Sequence, residues 1–449
     1  MLKRLPIAFC LTLVILTGCR QPDAAFTDRL LIGEVMMNSQ FTENLRALAM
    51  PGGRLSGSDN GHKAEQYVAD TLRSYGFDKV WLEPFSMPGW QVNSTEAVLL
   101  TDPPVTLENA VALRLTTSTP PEGVTAEVVS VGKGTEEDFK NAADKLNGRF
   151  ALMTDPNGRR GQPMLWAREH GAVGVLFSGR PDREPIIGGC HDEPRPELPI
   201  AIRYDDAKRI EDLLNAGESV RINIKVQTEL WDATPNNVIA EIPGSGPLAK
   251  EQVILCAHLD SWNLAEGAID NGNGSSAILE TARALKAVNW QPRRTVRFIW
   301  FMGEEQALNG SNAYVAAHQD ELDRIVAVVN VDMPGSPRKF QTFGHPEIVD
   351  FLKSVRADLK AYEIDEEIGN ASGGWSDHAP FAEAGVCALC LSGDLGPGVS
   401  TYHTLNDTYD KVDRRATVQS SSVFAVLIRR LADSGERPGK RLDHSEDKK

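Results

Sequence analysis

Two histidines and a set of carboxylates stand where apolar runs of the chain end. His258 closes the run Val253-Ile254-Leu255-Cys256-Ala257, and Asp260 follows two residues on. Asp270 lies in Gly267-Ala268-Ile269-Asp270-Asn271-Gly272, just ahead of a helical stretch. Glu304 and Glu305 follow the run 295–302, Asp332 follows the run 324–331, and His403 sits in the loop Thr401-Tyr402-His403-Thr404. Imidazole nitrogen and carboxylate oxygen are donors that zinc takes in a roughly tetrahedral shell. His258, Asp270, Glu305, Asp332 and His403, with one carboxylate shared, are the number needed for two zincs about 3.5–4 Å apart, a pair that can clamp a nucleophile and an oxyanion. Glu304 is left over as a base. Asp260 could hold the other nitrogen of the His258 ring.

Taken singly, each piece also has a structural reading. His258 could be a satisfied core histidine and His403 a solvated loop histidine. Asp270-Asn271-Gly272 could be a turn and helix cap. Glu304-Glu305 could open a helix, where carboxylates are favoured. Asp332, shortly before Pro334, could be an ordinary loop residue. These readings weaken jointly, because ligands in open α/β sheets gather outside the carboxyl ends of strands, and four of the five positions follow a predicted strand.

The elements that must position them are legible as apolar periodicity. From residue 237 onward, strands at 237–242, 252–257, 295–302, 324–331 and 386–391 alternate with helices at 275–287, 309–317, 346–359 and 417–432. Apolar strands separated by amphipathic helices indicate a layered α/β sheet. Upstream, residues 20–45 and 62–75 read as helices, and 80–85 and 96–100 as a sheet's first strands. Between 116 and 234 the texture changes. Short strands at 124–131, 149–153, 172–177, 198–202 and 220–226, with helices at 137–145 and 205–216, suggest a separate β-rich module.

Composition bounds the function. The chain has 449 residues with 62 Asp plus Glu against 47 Lys plus Arg, a formal charge of −15. An acidic balance argues against nucleic acid as the main partner. The start Met1-Leu2-Lys3-Arg4, an apolar run and Leu16-Thr17-Gly18-Cys19 carry the marks of an export signal. The order Leu-x-Gly-Cys resembles a bacterial lipoprotein signal. That resemblance implies cleavage before Cys19, a lipid on Cys19 as the only membrane anchor, and, with Arg20 next, an outer-membrane lipoprotein facing the periplasm. Of the six cysteines, Cys10 and Cys19 belong to this signal. Cys387 and Cys390 have C-x-x-C spacing but lie in a strand-like run, where residues three apart are about 10 Å apart and face opposite ways. They and Cys256 read as small buried hydrophobes. Cys190, in a Gly-Gly-Cys-His-Asp loop, has no assigned role.

The ordered runs His258-Leu259-Asp260-Ser261-Trp262, Gly267-Ala268-Ile269-Asp270-Asn271-Gly272, Gly303-Glu304-Glu305, Asn330-Val331-Asp332, Ser376-Asp377-His378-Ala379-Pro380-Phe381 and Tyr402-His403-Thr404 resemble those of the M28 family of zinc exopeptidases. The resemblance is closest to the plasma glutamate carboxypeptidase branch, whose members act on small unblocked peptides. It implies an α/β fold, a zinc-exopeptidase mixed β-sheet flanked by helices, with a β-rich protease-associated domain inserted. The chain would divide into a signal at 1–18, the first part of the peptidase domain at 19–115, the insert at 116–234, the main catalytic part at 235–435 and a charged tail at 436–449. His258 and Asp332 would hold one zinc and Glu305 and His403 the second, with Asp270 bridging. Glu304 would be the general base, Asp260 would orient His258, and Tyr402 would help the oxyanion. His378 would be structural or pocket-forming. Related enzymes of the branch pair as homodimers.

The reading that follows is an aminopeptidase or dipeptidase acting on short peptides. A carboxypeptidase or a glutaminyl cyclase of related type is the alternative within the enzymes. A lipoprotein binding module with a structural metal is the alternative outside them. An intact Glu304 argues against the last, since a closed structural zinc site needs no spare carboxylate. Arg293 and Arg294 precede the strand that carries Glu304, so they lie at its far end and are poor candidates for recognising a substrate terminus.

Overall fold

The computed structural model describes residues 24–155, 160–189, 193–371 and 374–442. The export signal, Cys19 and Cys190 therefore lie outside the described residues. Among the described residues, no helix is long and apolar enough to cross a membrane.

The first sheet has eight strands, in the order Lys79–Pro84, Asn236–Ile242, Thr295–Phe301, Gln252–His258, Ile325–Asn330, Ala388–Asp394, Ser336–Phe343 and Gly369–Ala371. Its centre is parallel: Gln252–His258 pairs with both Thr295–Phe301 and Ile325–Asn330, and the latter pairs with Ala388–Asp394. Central parallel strands are covered on both faces, which is why sequences such as Val-Ile-Leu-Cys-Ala and Ile-Val-Ala-Val-Val carry no polar face. All seven residues of Gln252–His258 are buried. The flanking strands Lys79–Pro84 and Asn236–Ile242 are antiparallel. One face is covered by the helices Asn273–Ala287 and Arg414–Asp433, whose residues are mostly buried. Three further helices, Ala24–Asn38, Phe41–Leu48 and Asp59–Ser74, precede the first strand. Asp59–Ser74 starts at a capping serine, Ser58, whose hydroxyl accepts the Gly61 N–H at 3.1 Å.

The chain leaves the first sheet after Pro84 and re-enters it at Asn236, and the two strands on either side of that excursion are neighbours. The described residues between them build a second eight-stranded sheet with its own apolar cluster, including Phe139, Phe150, Leu176 and Ile200. The excursion goes out and back along one long antiparallel pair, Met87–Leu99 with Arg221–Ala233. The expected strand at 96–100 is thus the end of a longer one, and it belongs to the second sheet. Pro88 and Gly89 hid its start, because they interrupt the apolar alternation. The strands expected at 124–131, 149–153, 172–177 and 198–202 lie within a few residues of Val124–Ser130, Phe150–Met153, Gly174–Ser178 and Leu198–Ile202. The helices at 137–145 and 205–216 are Glu136–Leu146 and Tyr204–Asn215. Thr135 opens the first of these with a reciprocal cap to Asp138. The helix Gly161–Glu169 and the strand Ser336–Phe343 were not expected from the sequence. Cys256, Cys387 and Cys390 are all free thiols, and the first two are buried.

Candidate metal centre

Three parallel strands end at one edge of the first sheet, and the chain leaving each one supplies a site residue. His258 is the last residue of its strand. The following loop needs a glycine at 267: its φ is +61°, and a Cβ there would lie 2.3 Å from the Ser261 side chain. Asp270 comes three residues later. Asn271 then ties this loop to the neighbouring strand end, donating to the Val331 carbonyl at 2.9 Å and accepting the Met333 N–H at 3.0 Å. Asp332 is thereby fixed opposite Asp270. Thr295–Phe301 ends at Met302 and Gly303, the latter with φ +78°, and Glu304 and Glu305 follow. His403 arrives from a separate loop after residues 396–401.

These side chains converge in two clusters that share Asp270. His258 Nε2 lies 3.1 Å from Asp270 Oδ1 and 3.4 Å from Asp332 Oδ1. His403 Nε2 lies 3.0 Å from Asp270 Oδ2 and 2.8 Å from Glu305 Oε2. Within each trio, His258–Asp270–Asp332 and Asp270–Glu305–His403, one donor atom per residue falls within 4.8 Å of the others, a spacing that could hold a metal ion. The donor chemistry fits zinc, with imidazole nitrogen and carboxylate oxygen in each trio. Asp332 Oδ1 is buried without a hydrogen-bond partner, an oxygen that a cation at this point would satisfy.

The electrostatics point the same way. Burial pulls both histidines towards neutrality, yet the carboxylates outweigh it. His403 is pushed up to about 10 by Glu305 and Asp270, and His258 is raised well above its ordinary value by Glu304 and Asp332. Asp270 is opposed by burial but held below the usual carboxylate range by His258 and His403. Burial, with Asp270 added, lifts Glu305 to about 7 despite His403. Burial raises Glu304 strongly, and Asp332, Asp377 and Glu305 add to it against His258. Four carboxylates, Asp270, Asp332, Glu304 and Glu305, gather around two histidines here, a donor set whose charge a bound cation would offset.

Asp260 was expected to orient the His258 ring. His258 Nδ1 lies 3.1 Å from the Asp260 backbone carbonyl and 3.7 Å from Asp260 Oδ1, and that same carboxylate oxygen accepts the Glu304 N–H at 3.2 Å. Asp260 therefore stands between His258 and the Glu304 segment. The Tyr402 ring stacks on His403 with centroids 3.8 Å apart. Its hydroxyl is pushed far up by burial and by Asp270 and Glu305, so it stays protonated. His378 packs against Phe343 and lies 3.3 Å from the Asn330 side-chain amide, and burial lowers it to about 4. Neutral and wedged between strands, it belongs to neither trio.

Two supporting residues escaped the sequence reading. Asp407, buried, accepts the backbone N–H of Ile269 at 2.6 Å and of Asp270 at 3.0 Å. Arg54, fully buried, donates to the carbonyls of Leu48, Leu259, Glu266 and Gly267 at 2.7–2.9 Å. It staples the loop after His258 to the loop before Asp270. A charged residue inside the glycine-rich stretch Gly52-Gly53-Arg54-Leu55 was the only hint available. Burial lowers Arg54 to about 10, and Asp407, Asp260 and Asp270 resist the shift.

A cavity of about 620 Å³ opens over the clusters, and Glu304, Tyr402 and the exposed Trp375 line it. Glu304 faces the space above both trios with its backbone held by Asp260. That combination of convergent ligands, an adjacent buried carboxylate and an open cavity suits metal-assisted hydrolysis.

Comparison with known proteins agrees. Residues 237–428 match the model of Peptidase family M28. Carboxypeptidase Q of Rattus norvegicus is 28% identical over 400 residues, spanning 86% of this chain and 83% of the relative. A peptidase M28 precursor from Shewanella amazonensis has a crystal structure that superposes with a TM-score of 0.83 at 27% identity, covering 94% of this chain and 99% of that one. An aminopeptidase from Aneurinibacillus sp. strain AM-1 gives a TM-score of 0.70 at 26% identity, with 93% and 98% covered. The two candidate metal trios and these likenesses together show M28-type metallopeptidase activity, that of a zinc-dependent exopeptidase acting on small peptides.

Proposed function

We propose that the chain is an aminopeptidase or dipeptidase that hydrolyses the terminal peptide bond of short unblocked peptides, with Glu304 as general base. The observation that carries this is the split of Asp270, which offers one carboxylate oxygen to each of two histidines. His258 and Asp332 would hold one zinc, Glu305 and His403 the other, and Asp270 both.

Two zinc ions, when bound, supply the positive charge that turns water into a nucleophile near neutral pH and offsets the charge developing on the peptide carbonyl. Glu304 accepts the water proton and passes it to the departing amine. Its place on the cavity wall beside both trios puts it within reach of a water and of the departing amine, which suits a group that must first take and then give a proton. Tyr402, kept protonated, offers its hydroxyl to the developing oxyanion. Asp260 keeps the Glu304 backbone in place through the 3.2 Å bond to its N–H. Asp407 and Arg54 keep the Asp270 loop from relaxing.

The second sheet supports the reading of residues 116–234 as a protease-associated insert, although the sheet itself starts at Met87. The sequence of residues 1–19 supports export as a lipoprotein, which the mass of the mature N-terminus tests. Activity is tested with free dipeptides against N-acetylated copies on zinc-loaded protein. Cleavage of the free peptides and loss of turnover on N-acetylation are expected. Release of the last residue from N-acetylated peptides at equal rate would overturn the aminopeptidase or dipeptidase reading in favour of a carboxypeptidase.

A further inference from the structure

The cavity over the metal centre is walled mainly by negative charge. Asp270, Glu304, Glu305, Asp332 and Glu383 all line it. Arg114 is the single arginine or lysine among its described lining residues, and it comes from the second sheet's side of the cavity. With two zincs bound, Asp270, Glu305 and Asp332 would be offset by the metals, which leaves Glu304, Glu383 and Arg114 as the charged side chains of the lining free to sort a substrate's amine from its carboxylate.

The backbone fixes where Arg114 stands. Arg114 donates its N–H to the Gly188 carbonyl at 3.0 Å, and the adjoining Ile187 donates its N–H to the His403 carbonyl at 3.0 Å. Two hydrogen bonds thus run from a candidate zinc ligand, across residues 187–188, to Arg114. Leu113 and Leu115 on either side of Arg114 are buried and anchor the segment. The Arg114 backbone is therefore tied to the segment that carries His403, and the residue lines the cavity. Arg114 already interacts within the protein, so an incoming anion would share or displace that partner.

We propose that Arg114 is a binding residue for the free α-carboxylate of the leaving fragment, which makes dipeptides and other very short peptides with an open C-terminus the preferred substrates. The inference rests on the hydrolytic reading above. A guanidinium offers two parallel N–H donors that match a carboxylate, a geometry that an ammonium lacks. A substrate held by its amine near the carboxylates and by its carboxylate at Arg114 would place the intervening peptide bond over the clusters. Longer peptides, whose carboxylate lies beyond Arg114, gain nothing from it.

The test compares a free dipeptide with its C-terminal amide on the zinc-loaded full chain, wild type and Arg114 variants. Wild type should favour the free dipeptide. Arg114→Ala should raise KM for the free dipeptide about 10- to 100-fold, the range of a lost charge-assisted bond, with a small change in kcat. KM for the amide should move far less, and Arg114→Lys should restore part of the preference. Equal losses on both substrates would show a structural role and overturn the proposal. So would a wild-type enzyme that cleaves both substrates with the same KM, and that result leaves the hydrolytic reading standing. A zinc-loaded wild type that cleaves no peptide overturns the hydrolytic reading and this proposal with it. If Arg114→Ala does not fold, the wild-type ratio and Arg114→Gln decide the matter in the same way.

Discussion

Asp407 holds Asp270 by its backbone: the Asp407 carboxylate accepts the Asp270 N–H at 3.0 Å and, with its other oxygen, the N–H of Ile269 at 2.6 Å. The residue shared by the two candidate trios is therefore positioned by a carboxylate that belongs to neither. Partners of this kind usually cost 10- to 100-fold in metal affinity or activity when removed, so about that loss is expected of Asp407→Ala. Zinc titration against a competing chelator measures it. An unchanged affinity would mean the loop holds its shape without Asp407.

Arg54 is expected to be irreplaceable even by lysine. One ammonium cannot reach four carbonyls spread over residues 48, 259, 266 and 267. Arg54→Lys leaves buried carbonyls without donors, and a loss of roughly 3 kcal/mol in stability is expected. Thermal unfolding of the metal-free protein reads this directly, and zinc affinity should fall in parallel.

The N-terminal helix Ala24–Asn38 should make stability sensitive to acid. Glu34 pairs with Arg283 at 2.5 Å, on the helix that follows Asp270. Burial works against the charge on Glu34, but the bonds from Arg283 and Asn38 prevail and hold it below its ordinary 4.5. A carboxylate lowered in the folded state stabilises it fully above the unfolded value and loses that contribution as pH falls through the folded one. Glu34→Gln should therefore cost about 1 kcal/mol at neutral pH. The gap from wild type should close as the pH drops below 4.5. Melting curves across that range check it, and a gap that stays constant with pH would show that the charge on Glu34 contributes nothing.

The candidate metal-binding set was picked out because most of its members sit at punctuation marks in the sequence. His258, Glu305 and Asp332 follow apolar runs that can only be buried strands, and Asp270 precedes an obvious helix. The parallel order of those strands brings their ends together, and it is implied by the helices between them. Arg54 and Asp407 were not legible. Their roles consist of hydrogen bonds to backbone groups far away in sequence, and nothing in Gly53-Arg54-Leu55 or Asn406-Asp407-Thr408 announces such partners. The second contact of Asp260 was not legible: beside the ring of His258, its carboxylate also accepts the Glu304 N–H, a partner 44 residues away in sequence. The start of the second sheet was missed for a local reason, since Pro88-Gly89 interrupts the pattern of a strand that its partner Arg221–Ala233 nevertheless completes. The strand Ser336–Phe343 was missed because it opens on Ser336-Pro337-Arg338-Lys339, a polar start typical of a strand near the sheet's edge.

The most direct measurement is peptide hydrolysis by Glu304→Gln carrying its full complement of zinc. The variant removes the proton acceptor and keeps every candidate ligand, so zinc content by elemental analysis and the melting temperature should stay near the wild-type values. Turnover should fall by about 100- to 10,000-fold, the usual contribution of a positioned base. Stripping zinc from the wild type with a chelator should abolish turnover, and returning it should restore the rate. A fully zinc-loaded Glu304→Gln protein that turns over peptides at the wild-type rate would contradict the account.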